Sequence, residues 1–113
     1  MHGIRYVEIG ASDLARSLDF YQDLLGLRPT DGPLPAPGVR WRSAGPVLLR
    51  LVDVGPGGLG GRVNDDLQRG IRHVGLGVAD PATLAATLAA GGTPVGDGLI
   101  TDRDGIPLRL VTA

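Results

Sequence analysis

Hydrophobic and polar residues alternate with a period of two along four segments of the chain, and this alternation predicts half-buried strands. One face of these strands is apolar throughout, so it is expected to pack beneath helices. This apolar face consists of Val7, Ile9, Leu49, Leu51, Val74, Leu76, Val78, Leu108 and Leu110. The opposite, polar face carries Tyr6, Glu8, Gly10, Leu48, Arg50, Val52, His73, Gly75, Gly77, Pro107, Arg109 and Val111.

Helical spacing follows the first and the third of these strands. The predicted N-caps are Ser12 or Asp13 in the first helix and Asp80, followed by Pro81, in the second. Glycines stop both helices, at Gly26 and at Gly91-Gly92. The predicted core-facing positions are Leu14, Leu18, Tyr21, Leu25, Leu84 and Leu88. Short strands are predicted in VRWRS, PVLLRLVDV, LITD and IPLRLVT. This order of elements predicts an α+β fold.

The two halves of the chain resemble each other. IRYVEIGASDL at 4–14 recurs as IRHVGLGVADP at 71–81, an offset of 67, and LRLV at 49–52 recurs at 108–111, an offset of 59. The second half therefore lacks eight residues between its two matching segments. We predict a single domain of 113 residues, built from a first module at 1–54, a glycine-rich linker at 55–70 and a second module at 71–113.

Composition narrows the function classes. The absence of cysteine excludes disulfides, thiolate metal sites and a cysteine nucleophile. A net charge of −1 argues against a nucleic-acid-binding surface. No apolar run reaches the roughly 20 residues of a membrane span, and no secretory signal is visible, so a cytoplasmic location is expected. The 19 glycines lie between apolar segments, which indicates turns in a folded chain.

Each of four strands contributes one large polar residue to the polar face. These residues are Tyr6, Arg50, His73 and Arg109. Two fixed positive charges in a recess suit a carboxylate, phosphate, enolate or phenolate. Glu8 can neutralise one arginine but not both, and we therefore predict that Arg50 and Arg109 bind a small anionic or aromatic molecule.

Glu8, His73 and Tyr6 form a candidate acid–base set. A histidine exchanges protons near neutral pH, and a nearby arginine would keep Glu8 ionised and able to accept a proton. A structural His73, held by a hydrogen bond, is the alternative.

Trp41 and Arg42 are further candidates for ligand binding. They alternate with Arg40 on one predicted strand. Either Trp41 packs in the core and both arginines face the cavity or solvent, or Trp41 lines the pocket and the arginines do not. We expect core packing or a dimer contact for Trp41.

The segments IRYVEIGASDLARSLDFYQDLLGL and IRHVGLGVADP resemble the opening strand–helix segments of the vicinal oxygen chelate superfamily, which includes glyoxalases, bleomycin-resistance proteins and extradiol dioxygenases. The Asp-Arg-Asp-Gly turn at 102–105 is also similar to that family's final hairpin. The resemblance implies two βαβββ modules, the second one shortened, that form a half-open barrel around a concave cavity. Many relatives dimerise, so a homodimer is expected.

Metal-dependent members of this superfamily place one ligand on each of four strands. Carried over by register, those positions are Tyr6, Arg50, His73 and Arg109, and only His73 retains a ligand type of the family. A guanidinium has no lone pair to donate and stays protonated. We therefore expect no metal and no other cofactor.

Three functions remain open at this point. The first is a metal-independent isomerase, lyase or cyclase, in which Glu8 or His73 removes a proton and Tyr6 or His73 returns it while the arginines hold the substrate. The second is a non-catalytic antibiotic-binding or resistance protein. The third is a structural or regulatory domain in which Glu8 closes directly on Arg50 or Arg109.

Overall fold

The computed structural model describes residues 1–57 and 70–113. The chain divides into two compact units, Met1–Gly60 and Gly61–Ala113. Most of the linker predicted at 55–70 lies outside the described residues. No helix in the described ranges is long and apolar enough to cross a membrane.

The first unit contains a four-stranded sheet. Its elements are β1 (Tyr6–Ala11), α1 (Leu14–Leu18), a π-helical segment (Asp19–Leu24), β2 (Arg28–Thr30), β3 (Val39–Ala44) and β4 (Val47–Asp53). The strand order is β1-β4-β3-β2, in which β1 and β4 are parallel and the other pairs antiparallel. The first strand therefore pairs with the last one of its own unit.

The second unit repeats this arrangement. Its elements are β5 (Val74–Val78), α2 (Pro81–Ala90), β6 (Val95–Gly96), β7 (Leu99–Thr101) and β8 (Pro107–Thr112). The strand order is β5-β8-β7-β6, and β5 and β8 are parallel. Each unit is thus βαβββ and neither sheet closes on itself, so the predicted α+β fold is confirmed.

The internal repeat extends to the pairing of the strands. Val7 pairs with Leu49 in the first unit, and Val74 pairs with Leu108 in the second, which reproduces both sequence offsets. Register can therefore be used to match positions: Glu8 corresponds to Gly75, Arg50 to Arg109, Trp41 to Leu99 and Arg42 to Ile100.

The eight residues that the second unit lacks are located between its second and third strands. In the first unit, ten residues, 31–40, separate the paired residues Thr30 and Trp41. In the second, only residues 97 and 98 separate Gly96 and Leu99. The short connection is a hairpin turn with positive φ at both central residues, 52° at Asp97 and 77° at Gly98, as its length requires.

The first helix differs from its prediction. It is α-helical only to Leu18 and then widens, so that the Leu25 N–H donates to the Phe20 carbonyl at 3.0 Å. The wider turns bring Phe20 and Tyr21 together into the buried layer. Tyr21 was predicted there, but Leu18 and Leu25 are only half-buried.

The second helix follows its prediction closely. The Asp80 carboxylate accepts hydrogen bonds from the Thr83 N–H at 3.1 Å and the Thr83 hydroxyl at 2.7 Å, and Pro81 occupies the first turn. Leu88 is buried, and Gly91 is the C-cap. Strand alternation is confirmed as well, since Ile9, Leu49 and Leu51 are buried while Glu8 is exposed.

Candidate functional site

An ion pair joins the two parallel strands of the first unit. Glu8 and Arg50 are directly paired residues on β1 and β4, and the Arg50 Nη1 donates to Glu8 Oε1. The Arg50 side chain is only 13% exposed, against 52% for Glu8. Arg50 Nη2 also donates to the Leu34 carbonyl at 2.8 Å. The charge of Arg50 is therefore neutralised within its own unit, as the third hypothesis expected for one arginine.

Two aromatic rings pack beside this ion pair. Trp41 pairs with Arg50, whose guanidinium carbon lies 5.8 Å from the centre of the Trp41 ring, a cation–π contact. Tyr6 meets the same ring edge-on, with centroids 5.1 Å apart. Trp41 itself is 5% exposed. We call Tyr6, Glu8, Trp41 and Arg50 the aromatic–arginine cluster.

The loop between β2 and β3 covers this cluster. A Cβ atom on Gly32 would lie 2.3–2.6 Å from three atoms of the Trp41 ring, so only glycine fits there. Leu34, which accepts from Arg50, has a left-handed backbone with φ of 58°. Sequence reasoning missed both residues. The only signal for the loop was the eight-residue difference between the two repeats.

The structure does not bring Arg42 to the aromatic–arginine cluster. Alternation along β3 places it on the opposite side of the sheet from Trp41, where it pairs with the buried Leu49. Arg42 and Trp41, which were both expected to bind the ligand, therefore do not share one surface. Of the two arrangements left open for this strand, the structure has Trp41 on the polar face and the arginines on the apolar face.

Arg109 of the second unit has different surroundings from its counterpart Arg50. Gly75 is its paired residue on β5, and a Cβ atom there would meet nothing within 4 Å. Arg109 Nη1 donates to the Asp97 carbonyl at 3.1 Å. No carboxylate of the described residues forms an ion pair with it. The Arg109 guanidinium is therefore held by the Asp97 carbonyl, and the space at Gly75 on the adjacent strand is not filled by a side chain.

The proposed acid–base residues fall into two groups. Tyr6 and Glu8 lie on one face of β1, where the Tyr6 ring packs against Trp41. His73 lies in the other unit, exposed and one residue before β5. Within residues 1–57 and 70–113, no three His, Asp or Glu side chains are arranged to hold a metal ion.

Comparison with known proteins identifies the fold. Residues 3–108 match the family model of the Glyoxalase/Bleomycin resistance protein/Dioxygenase superfamily. The chain belongs to this superfamily. No protein of curated function matches it by sequence.

Solved structures with a similar fold cover nearly the whole chain. The trypanothione-dependent glyoxalase I of Leishmania major is 23% identical over 99% of this chain and 87% of its own, with a TM-score of 0.71. The lactoylglutathione lyase of Agrobacterium tumefaciens is 19% identical over 97% and 92%, with a TM-score of 0.69. TnmS3, an antibiotic binding protein from Streptomyces sp. CB03234, is 21% identical over 99% and 96%, also with 0.69. At these identities the similarity shows the fold alone.

Proposed function

We propose that this glyoxalase-superfamily chain binds a small anionic or phenolic molecule and that Arg109 supplies the charge that recognises it. One observation carries the proposal: Arg109 lies opposite Gly75, where its counterpart Arg50 lies opposite Glu8. A partly buried guanidinium without a counter-charge among residues 1–57 and 70–113 favours an oxyanion as its partner. The missing side chain at Gly75 leaves room for that partner.

We assign Arg50 a different role from the one expected. Its charge is taken up by Glu8, and its remaining contacts are the Leu34 carbonyl and the Trp41 ring. We therefore assign ligand recognition to Arg109 and assign Arg50 the task of holding the aromatic–arginine cluster together.

Metal independence is part of the proposal. Of the four positions at which metal-dependent relatives carry ligands, two hold arginines, which cannot coordinate a cation. The nearby Glu8 carboxylate is engaged by Arg50. These residues do not fit a divalent cation, and their chemistry is that of charge recognition.

Binding without turnover is the function that these contacts support best, and one solved relative is an antibiotic binding protein. Acid–base catalysis is the second candidate because Glu8 presents a half-exposed carboxylate held by Arg50. A proton transfer of the isomerase or lyase type would use Glu8 as the base. The expected homodimer stays a prediction, which sedimentation at micromolar concentration tests.

Salicylate, which carries both a carboxylate and a phenol, is a suitable first probe. We expect it to bind the wild-type chain and to bind Arg109→Gln at least about tenfold more weakly, because a charge-assisted hydrogen bond is lost. Arg103→Gln, at an exposed arginine, is the matched control. Equal affinity of all three proteins in isothermal titration would refute the role of Arg109.

Gly75 provides a second test that removes no existing contact. Gly75→Glu would give Arg109 the carboxylate that Arg50 already has, so salicylate affinity should fall by about tenfold or more. Gly75→Gln fills similar space without the charge and should have the smaller effect. Proton NMR of the recovered probe, which detects an isomer as well as a cleavage product, separates the two candidate functions. An unchanged molecule supports binding, whereas a product that disappears in Glu8→Gln supports catalysis.

A further inference from the structure

The apolar face of the first sheet contains an arginine at a core position. Arg42 pairs with Leu49, and the matching pair in the second unit is Ile100 with Leu108. Ile100 is 1% exposed and Arg42 is 8% exposed. The same backbone position is thus buried in both units, but it holds a charge in only one of them.

Arg42 has hydrogen-bond partners for only part of its guanidinium. Nη1 donates to the Trp41 carbonyl at 2.7 Å, whereas Nε is buried and has no acceptor among the described residues. No described carboxylate forms an ion pair with it. A main-chain carbonyl satisfies a donor but does not balance a full charge, so the burial of Arg42 is costly as it stands.

A second arginine increases this positive charge. Arg40 lies two residues earlier on β3, hence on the same face and about 7 Å away along the strand. It is exposed, and its Nη1 donates to the Val39 carbonyl at 2.9 Å. Burial, and next the charge of Arg40, lower the pKa of Arg42. Two like charges therefore occupy the edge of an apolar layer.

We propose that Arg42 and Arg40 form a binding site for a phosphate-type oxyanion on the apolar face of the first sheet. A doubly charged oxyanion balances two guanidiniums, and its oxygens can accept charge-assisted hydrogen bonds from them. The exposed Arg40 provides access from solvent, and the buried Arg42 provides a fixed donor.

The arginines of this proposal and the arginine of the proposed function belong to different units. Arg42 lies across the sheet from Trp41, and Arg109 belongs to the other unit. Neither proposal depends on the other.

Inorganic phosphate at constant ionic strength, with chloride as the comparison, is the probe. We expect phosphate to raise the Tm of the wild-type chain in a saturable way beyond the effect of chloride. Arg42→Ile, which installs the residue of the second unit, should lose at least about tenfold in phosphate affinity. The same variant should be at least as stable as wild type in chloride alone, because a buried unpaired charge is removed. Arg103→Gln, which removes an exposed arginine outside both proposed sites, should keep the full response to phosphate.

Arg40→Gln keeps the test decisive if Arg42→Ile fails to fold. This exposed substitution should leave the fold intact and weaken phosphate binding by about three- to tenfold. The proposal is overturned if phosphate raises the Tm no more than chloride does, or if Arg40→Gln or Arg42→Ile responds to phosphate as wild type does.

Discussion

The two units share one strand topology, but the corresponding arginines, Arg50 and Arg109, have different neighbours. Arg50 donates to the carbonyl of Leu34, and Arg109 donates to the carbonyl of Asp97. Both acceptors lie in the connection between the second and third strands of their unit, and both have positive φ, 58° and 52°. Each arginine thus holds the connection between the second and third strands of its own unit by a hydrogen bond to a main-chain carbonyl.

The neighbours of these arginines determine what each can do. In the first unit a carboxylate and an indole ring surround the guanidinium, whereas the second unit has Gly75 and Leu99 at the matching positions. Arg50 consequently has a counter-charge and a ring contact, while Arg109 has no ion pair with the described residues. The residue on the adjacent strand, Glu8 or Gly75, thus determines whether the arginine has a carboxylate directly opposite it.

The largest effect is expected from exchanging the buried residues of the two units. Ile100→Arg would place an unpaired guanidinium in the core of the second unit and should cost about 3–5 kcal/mol of unfolding free energy. Ile100→Val, the matched control, should cost about 0.5–1.5 kcal/mol. Urea denaturation measures both. A cost below about 1 kcal/mol for Ile100→Arg would show that this position tolerates a charge, and the need for a counter-anion at Arg42 would disappear.

A smaller effect is expected at the loop that only the first unit has. Gly32→Ala forces the loop away from the Trp41 ring and should cost about 1–3 kcal/mol. Trp41 is the only tryptophan, so its fluorescence should shift to longer wavelength as water reaches the ring. Gly57→Ala has open space around its Cβ and serves as the control. An unchanged emission spectrum in Gly32→Ala would contradict the close packing of this loop.

The smallest effect concerns the N-caps of the two helices. Asp80 accepts two hydrogen bonds from Thr83, whereas the Asp13 side chain accepts one from the Arg16 N–H at 3.2 Å. Asp80→Ala should therefore lower the Tm more than Asp13→Ala does. If the two substitutions lowered the Tm equally, the additional hydroxyl contact would have no measurable value.

The Asp80 cap should also be sensitive to acid. The hydrogen bond from the Thr83 hydroxyl, followed by that from the Thr83 N–H, lowers the pKa of Asp80. Its contribution is therefore fully present above the unfolded-state pKa of about 4 and is lost as the pH falls through the lower folded-state value. The difference in Tm between wild type and Asp80→Ala should shrink in that acidic range.

The sequence by itself determined the elements and their repetition. Alternation placed Ile9 and Leu49 in the core and Glu8 outside it, and the caps at Asp80 and Gly26 set the helix ends. These features depend on neighbours within a few residues, whose spacing is visible in the chain. The two offsets also indicated that the strand register of one unit recurs in the other, but not which strands pair.

Only the tertiary structure decided which charged groups meet. Alternation fixed that Trp41 and Arg42 lie on opposite sides of β3, but not which side faces the core. The antiparallel pairing of β3 with β4 settled that, and the parallel pairing of β1 with β4 placed Glu8 on Arg50. Pairings between strands distant in sequence, and a loop without periodicity, leave no local pattern, because they arise from the packing of the whole unit.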